Sequence, residues 1–337
     1  MVGVILVGIA GCGQPKGVVF EPPDPPLRWP TATEPARIEY VGQLVTDRDL
    51  KPAKSFGQVV GDKLFGEAAD RSMLSPYGIC TDGADRLFVS DSNAQVVHVF
   101  DLESRLYERW PGDDQGPNLA QPLGIAWDPA GMLLVADGAA GRIVVFNGNG
   151  ELIDTLGEGE LDRPSGVAFD ATTGLVFVAD PAAHAVVVFA RDGALRQRLG
   201  ERGAGPGQFN YPTNVALDRH GNLYVADTLN FRVQVFDNEL RPVLQIGSQG
   251  DRPGFLSQPK GIAVDGKGHL YVVDAHFEAV QIFDATGHLL LAFGREGRQP
   301  GEFWLPTGIH IDGSNRIWIA DSYNRRVQVF RYLGEAN

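Results

Sequence analysis

The apolar residues of this chain come in short bursts separated by Gly, Pro, Asn and Asp. From Pro76 onward the bursts keep a fixed order. A Pro-x-Gly step leads into a short apolar stretch ending in Asp, then a second stretch ending in Asp, then a third ending in Phe. Copies begin at Pro76, Pro122, Pro164, Pro212, Pro259 and Pro306, and their second stretches end at Asp91, Asp137, Asp180, Asp227, Asp274 and Asp321, 43 to 47 residues apart. The third stretches end at Phe100, Phe146, Phe189, Phe236, Phe283 and Phe330. Stretches of this length, rich in Val, Ile, Tyr and Phe and bounded by turn residues, predict β-strands. In Gly261-Ile-Ala-Val-Asp265 the small residues fall on one side and Ile and Val on the other, which lets neighbouring strands converge. A fourth strand follows each of the first five copies, as in Val243–Gly247 and Leu289–Gly294. The turn aspartates, repeating in register, are expected to accept backbone N–H bonds at tight turns.

Copy four reads Pro212-Thr-Asn-Val-Ala-Leu-Asp218, Asn222-Leu-Tyr-Val-Ala-Asp-Thr228 and Asn230-Phe-Arg-Val-Gln-Val-Phe236. It resembles the NHL repeat, the unit of a family of β-propellers; the resemblance covers residues 76–330 and is weakest in copies two and three. The expected fold is all-β, a six-bladed propeller of four-stranded NHL-type blades. Copy six has no fourth strand of its own. Ile38-Glu-Tyr-Val-Gly42 carries the missing pattern, so an N-terminal strand is predicted to pair with blade six and close the ring. Length alone favours two domains. The repeat overrides that and gives one propeller over residues 36–337, with an insertion at 43–75.

Ahead of the repeats, residues 2–11 are apolar and end at Cys12. The run is too short to span a bilayer and suits the core of a secretory signal. Ile9-Ala10-Gly11-Cys12 resembles the bacterial lipobox, which implies a signal peptide at 1–11 and a lipidated Cys12. No Lys or Arg precedes the run, which points to a translation start upstream of Met1. Seven prolines in residues 13–35 read as a semi-rigid tether over 12–35. The localisation that follows is the bacterial cell envelope, with a membrane-anchored lipoprotein facing the periplasm or exterior.

Charge narrows the partners. Lys+Arg 29 against Asp+Glu 42 leave a net charge of -13, which repels phosphate backbones. NHL propellers in some ubiquitin ligases bind RNA, and Arg325-Arg326 beside Tyr323 fits such a use, but the charge and the export signal oppose it. Two cysteines exclude a RING domain and a disulfide framework. No nucleic acid is expected.

Binding is expected on one rim, where the loops entering the inner strands meet the turns between second and third strands. The departures from the repeat there are Tyr77, His184, Asn214, Asn230, Phe231, Lys260, His276, Phe277, Tyr323, Asn324 and Arg325. Asn214 stands where the other five copies have Gly. Aromatic rings beside Asn, Lys and Arg suit a peptide or protein. Phe231, Phe277 and Tyr323 occupy related places in the second-to-third strand turns of blades four, five and six and are read as three aromatic anchors on one arc. From Gly42 to Pro76 the connection is 34 residues against 12 in later copies, and Phe56, Val59, Val60 and Leu64 there have helical spacing, a candidate cap over the rim. Gly57 and Gly61 weaken that helix by about 1 kcal/mol each.

Chemistry is harder to find. Lyases on NHL propellers that cleave amidated peptide precursors hold zinc with three histidines at the inner-strand entrance. The matching positions here are Gly78, Gly124, Gly166, Asn214, Gly261 and Gly308. Lactonase-like propellers need carboxylate and Asn ligands on an axial calcium, and their Glu-Gly-Pro opening is absent. His310 and Cys80 replace the usual Ala of the inner strand and read as packed core residues, too few for a metal. The other histidines, His98, His184, His220, His269 and His288, do not pair at ligand spacing. The side chains call for no catalytic residue, metal or cofactor, while an axial calcium held by backbone carbonyls stays open. The reading is a monomeric recognition or scaffold module binding an envelope protein or exported peptide. The alternative is a metal-dependent lyase or hydrolase of a small substrate at the axis.

The anchor makes one prediction. Cys12→Ser releases the protein into the soluble fraction or leaves an uncleaved precursor, read by fractionation and mass spectrometry. Unchanged membrane association with no lipid mass on Cys12 overturns it.

Overall fold

Each Pro-x-Gly copy opens the innermost strand of an antiparallel sheet, and the six sheets are the blades of a propeller. The computed structural model describes residues 17–31, 35–52, 70–112 and 119–334. The inner strands are Pro76–Thr81, Pro122–Asp128, Gly166–Asp170, Pro212–Leu217, Pro259–Val264 and Pro306–Ile311. Within blades one to five the four strands follow in chain order from the axis outward. Blade six is completed from the other end of the chain. Ile38–Leu44 pairs with Arg326–Tyr332, with Ile38 opposite Tyr332 and Leu44 opposite Val327, so the predicted ring closure is observed.

What brings the inner strands together is the ring of small residues at their third position. A Cβ on Gly78 would stand 2.5 Å from Leu123 O, and one on Gly124 2.7 Å from the Gly166 Cα. Only a residue without a side chain lets one backbone approach another so closely. Outside the ring, cores form between blades rather than within them. The phenylalanines ending the third strands are essentially inaccessible, each packed against residues of an adjoining blade.

The twelve turn aspartates have the structural role their repetition implied. Those ending the second strands are 0% exposed. Asp274, for example, accepts from Ser257 N at 2.7 Å and Gln258 N at 3.0 Å, fastening the loop that enters the inner strand. On the opposite face Asp265 accepts from Lys267 N and His269 N, both at 2.9 Å. Ionised acceptors of several N–H groups form strong bonds, and their burial is tolerable only because they are satisfied. Gln234 and Gln328 secure the same upper loops, Gln328 accepting from Gly301 N at 2.9 Å and donating to Glu302 O at 2.7 Å. Buried Arg326 adds donations to Gln299 O and Glu302 O while pairing with Asp321 at 2.7 Å.

One expectation needs correcting. Residues 17–31, the described part of the segment read as a tether, lie against the propeller. Arg28–Trp29 forms a fifth strand on blade six, outside Ile38–Leu44. Leu27 and Trp29 pack into the core between blades five and six, and Val19 and Phe20 into the core between blades six and one. The Trp29 ring lies 5.8 Å from both Phe293 and Phe330. Lys51 Nζ donates to Val18 O at 2.8 Å. Aromatic and aliphatic residues between the prolines explain the docking: burying them outweighs the stiffness that prolines confer. Cys12 lies outside the described residues, as do Phe56, Val59, Val60 and Leu64 of the expected cap. The ends of that insertion are described. Asp47–Leu50 is a short 3-10 turn capped by Thr46, Thr46 bridges Ser72, and Leu50 and Met73 are buried between blades six and one.

Hydroxyl groups tie several blade seams together near the axis. Ser165 donates to Thr213 O at 2.8 Å, Thr228 to Pro259 O at 2.7 Å and Thr307 to Tyr77 O at 3.1 Å. Between blades five and six, Ala275 replaces that hydroxyl, and Glu278 accepts from Leu305 N at 2.5 Å instead. Burial pushes the Glu278 carboxyl up to about 7, and the neighbouring Asp321, Glu296 and Asp274 add to the shift. Lys260 faces it, its own pKa lowered by burial and raised by Glu278.

Two predictions follow from closure and seam. Deleting residues 36–46 lowers the melting temperature and gives oligomers by size-exclusion chromatography, because blade six is left with a bare edge; a parent-like, monomeric variant refutes the closing role. Glu278 binds its proton more tightly folded than unfolded, so its contribution falls as pH rises from the ordinary carboxylate range through about 7. Glu278→Gln therefore raises the melting temperature more at pH 8 than at pH 5, and an equal shift at both values excludes the titration.

Candidate functional site

The turn between second and third strands has the same backbone in every blade, and this decides which side chains it presents. Its fourth residue takes the left-handed conformation: Gln95, His184, Phe231, Glu278 and Arg325 have φ between 52° and 58°, with Gly141 at 62°. The second residue is the tip. Leu229, His276 and Tyr323 stand there, all exposed. The third residue, Asn230 or Asn324, turns inward. Asn230 Nδ2 donates to Gly203 O and Asp227 Oδ2, both at 2.8 Å, and Asn324 Nδ2 donates to Gly297 O at 2.8 Å. These two asparagines are loop clamps, not free rim groups. Phe231, Phe277 and Tyr323 therefore occupy the fourth, third and second turn positions, not equivalent ones, and Phe231 and Phe277 are half-buried.

The remaining rim residues divide in the same way. His184 Nδ1 accepts from Tyr211 N at 3.2 Å, holding the left-handed Tyr211 ahead of the next inner strand. Tyr77 is half-buried, its hydroxyl pushed up to about 12 by burial, with Tyr211 and Arg163 as electrostatic neighbours. Lys260 is half-buried beside Glu278. His276 is exposed, its ring 6.3 Å from that of Phe277.

Blade six presents the most developed surface. Tyr323, 61% exposed, packs on Trp304 with ring centroids 5.4 Å apart. The Arg298 guanidinium lies 4.7 Å above the Trp304 ring, and Arg325 is exposed at the end of the same turn. Neither arginine is ion-paired among the described residues. Around the rim, Leu229 at 48% and Phe255 at 40% exposure continue the apolar surface over blades four and five. Trp304 and Arg298 escaped the sequence reading because they belong to the long loop before the inner strand, where the copies vary and alignment gives no contrast.

Asn214, expected nearer the axis than the aromatic anchors, lines with Gly78, Gly124 and Gly308 an axial cavity of about 450 Å³ that reaches the turns following the inner strands, on the face opposite the rim. Cys80, Thr81, Asp82, His310 and Asp312 line its lower part. His310 Nε2 bonds Thr81 Oγ1 at 2.9 Å, and burial pulls its pKa down to about 4, so the imidazole is neutral at pH 7. The Cys80 thiol is pushed up by burial. Among the described residues no three His, Cys, Asp or Glu side chains converge as metal ligands.

Comparison with known proteins agrees with the fold. The NHL repeat family model matches residues 209–236 and 303–330, within blades four and six. A human protein, NHL-repeat-containing protein 4, is 31% identical over 116 residues, covering 32% of this chain and 88% of that protein. Solved propellers superpose on most of the chain at low identity. A virginiamycin B lyase from Staphylococcus aureus matches 77% of this chain and 96% of its own, with TM-score 0.57 and 16% identity. A gluconolactonase from Xanthomonas campestris matches 77% and 86%, with TM-score 0.60 and 18% identity. An auxiliary nutrient binding protein from Bacteroides thetaiotaomicron matches 78% and 70%, with TM-score 0.61 and 14% identity. Three different uses on one architecture leave the fold alone as the common element. The repeats themselves carry the kinship, and by them the chain belongs to the NHL-repeat family of six-bladed β-propellers.

Proposed function

We propose that this propeller is a recognition module that binds an extended, acidic protein segment across the rim of blade six. The observation that carries the reading is the tilted Trp304–Tyr323 ring pair, with Arg298 over the Trp304 ring and Arg325 exposed in the turn of Tyr323. Trp, Tyr and Arg are the residues enriched at energetic centres of interfaces, because they bury large area at modest entropic cost and keep a polar handle. Arg298 and Arg325, without ion pairs among the described residues, make a local positive patch on a chain whose net charge of -13 otherwise repels anions, and carboxylates are the groups that such guanidiniums pair with. A rim built on rigid blades keeps these groups in place before the partner arrives, which limits the ordering cost of binding.

The setting proposed with it is the bacterial cell envelope, where lipidated Cys12 holds the propeller at a membrane surface and the partner is an envelope protein or exported peptide. The apolar run ending in Ile9-Ala10-Gly11-Cys12 supports this. Buried acyl methylenes contribute about 0.8 kcal/mol each, so a multiply acylated Cys12 rarely leaves the bilayer.

The test is affinity capture from envelope extract followed by titration of the captured partner. Trp304→Ala and Tyr323→Ala each weaken binding about thirtyfold, the effect of losing roughly 2 kcal/mol at a hot spot. Arg298→Ala weakens it as well and flattens its salt dependence. His220→Ala and Lys267→Ala, on the opposite face, leave it unchanged. Loss of binding in the opposite-face variants, with the blade-six variants neutral, places the partner on the wrong face for this reading.

A further inference from the structure

The axial cavity departs from the repeat in two places that the rim reading does not use. Position three of the inner strand is Gly in five copies and Asn214 in the fourth; position five is Ala in blades two to five, but Cys80 and His310 in blades one and six. These polar groups are incompletely used. The Asn214 side-chain amide has no hydrogen-bond partner among the described residues. His310 uses Nε2 on Thr81, and its Nδ1 has none among them. Both residues line the same cavity of about 450 Å³, a size within the range of small-ligand pockets, roughly 300–1,000 Å³.

Charge decides what such a cavity accepts. The carboxylates at its mouth are already compensated: Asp82 pairs with Arg86 at 2.8 Å, and Asp312 with Arg316 at 2.7 Å and with Trp318 Nε1 at 2.9 Å. Neutral His310 adds no charge at pH 7. A charged ligand would lose hydration without gaining a counter-charge. A wholly apolar ligand would leave the Asn214 amide desolvated and unpaired, which costs more than a made bond returns. The rest of the wall is largely apolar, from Ala126, Ala168 and Ala216 and the rings of Trp127 and Phe169. A molecule with hydroxyls along its edge and C–H groups on its faces satisfies both kinds of surface.

We infer that the axial cavity, opening on the face opposite the rim, binds an uncharged, hydroxyl-rich molecule of monosaccharide size, with Asn214 and His310 as its hydrogen-bonding groups. The inference is independent of the rim proposal. Asn214 gives a donor and an acceptor, and His310 Nδ1 whichever of the two its tautomer leaves, while a hydroxyl can meet either.

Asn214→Gly and His310→Ala install residues that other blades already carry at these positions, so the fold provides its own controls. The experiment titrates the detergent-solubilised full chain with D-glucose and D-xylose, by calorimetry and saturation-transfer NMR. Sodium gluconate serves as a charged comparison and cyclohexanol as an apolar one. The expected result is saturable binding of at least one sugar, weakened about three- to tenfold by each substitution, as for loss of one hydrogen bond. Tyr323→Ala leaves it unchanged, and the melting temperatures confirm folded variants. Absence of saturable sugar binding, binding indifferent to both substitutions, or equal binding of gluconate or cyclohexanol overturns the inference.

Discussion

Backbone meeting backbone at the axis is the contact on which the rest of this propeller depends. Six inner strands can surround a narrow throat only if their third residues have almost no side chain, and five of the six are glycine. The Cβ positions of these glycines would overlap the carbonyls or Cα atoms of the next blade. That approach fixes the spacing of the blades near the axis, and the interblade phenylalanines then fill the wedge that opens outward. The one side chain in the ring, Asn214 of the inner strand of blade four, lines the axial cavity together with Gly78, Gly124 and Gly308.

Rigidity at the rim has a separate origin. Each buried second-strand aspartate holds the loop that enters its inner strand, and in blades four and six an arginine and a glutamine grip the same loop from the third strand. Buried charges are stable here only because each meets an opposite charge or several N–H donors. The consequence for recognition is selective. Polar groups near the loops are mostly occupied internally, and the ones left over, Tyr323, Trp304, Arg298 and Arg325, lie on a frame that does not have to be ordered by a partner.

The fold was legible because its signals repeat. Six copies in register average out the ambiguity of any single short strand, and Ile38 through Gly42 could be assigned to blade six because it matched a missing element. The site was less legible, since its residues are departures from the repeat, and sequence does not say whether a departure points outward or inward. Asn230 and Asn324 looked like exposed rim groups, yet the turn backbone directs their amides to loop carbonyls. Phe231, Phe277 and Tyr323 looked like one group of anchors, because what a shift of one residue in a turn does to a side chain is invisible without the φ angles. Trp304 was missed for the opposite reason: its partner Tyr323 is 19 residues away, across a strand pair.

The N-terminal segment shows how closure and edge protection are linked. A propeller blade ends in an outer strand whose unpaired backbone groups invite pairing with another chain. Blades one to five keep that strand to four or five residues, and in blades two to five a register shift against the third strand interrupts the edge. Such irregularities twist an edge away from flat pairing. Blade six has a seven-residue closing strand, Ile38–Leu44, the longest outer strand of the six. It is also the blade that Arg28–Trp29 covers, with Tyr40 N donating to Leu27 O at 2.9 Å. Gly42, at the shift in that closing strand, leaves room for the Phe20 ring against the blade. A segment whose prolines suggested a spacer thus has two uses for its apolar residues. They fill the grooves on either side of blade six, and they shield the edge that closing the ring with a distant strand had created.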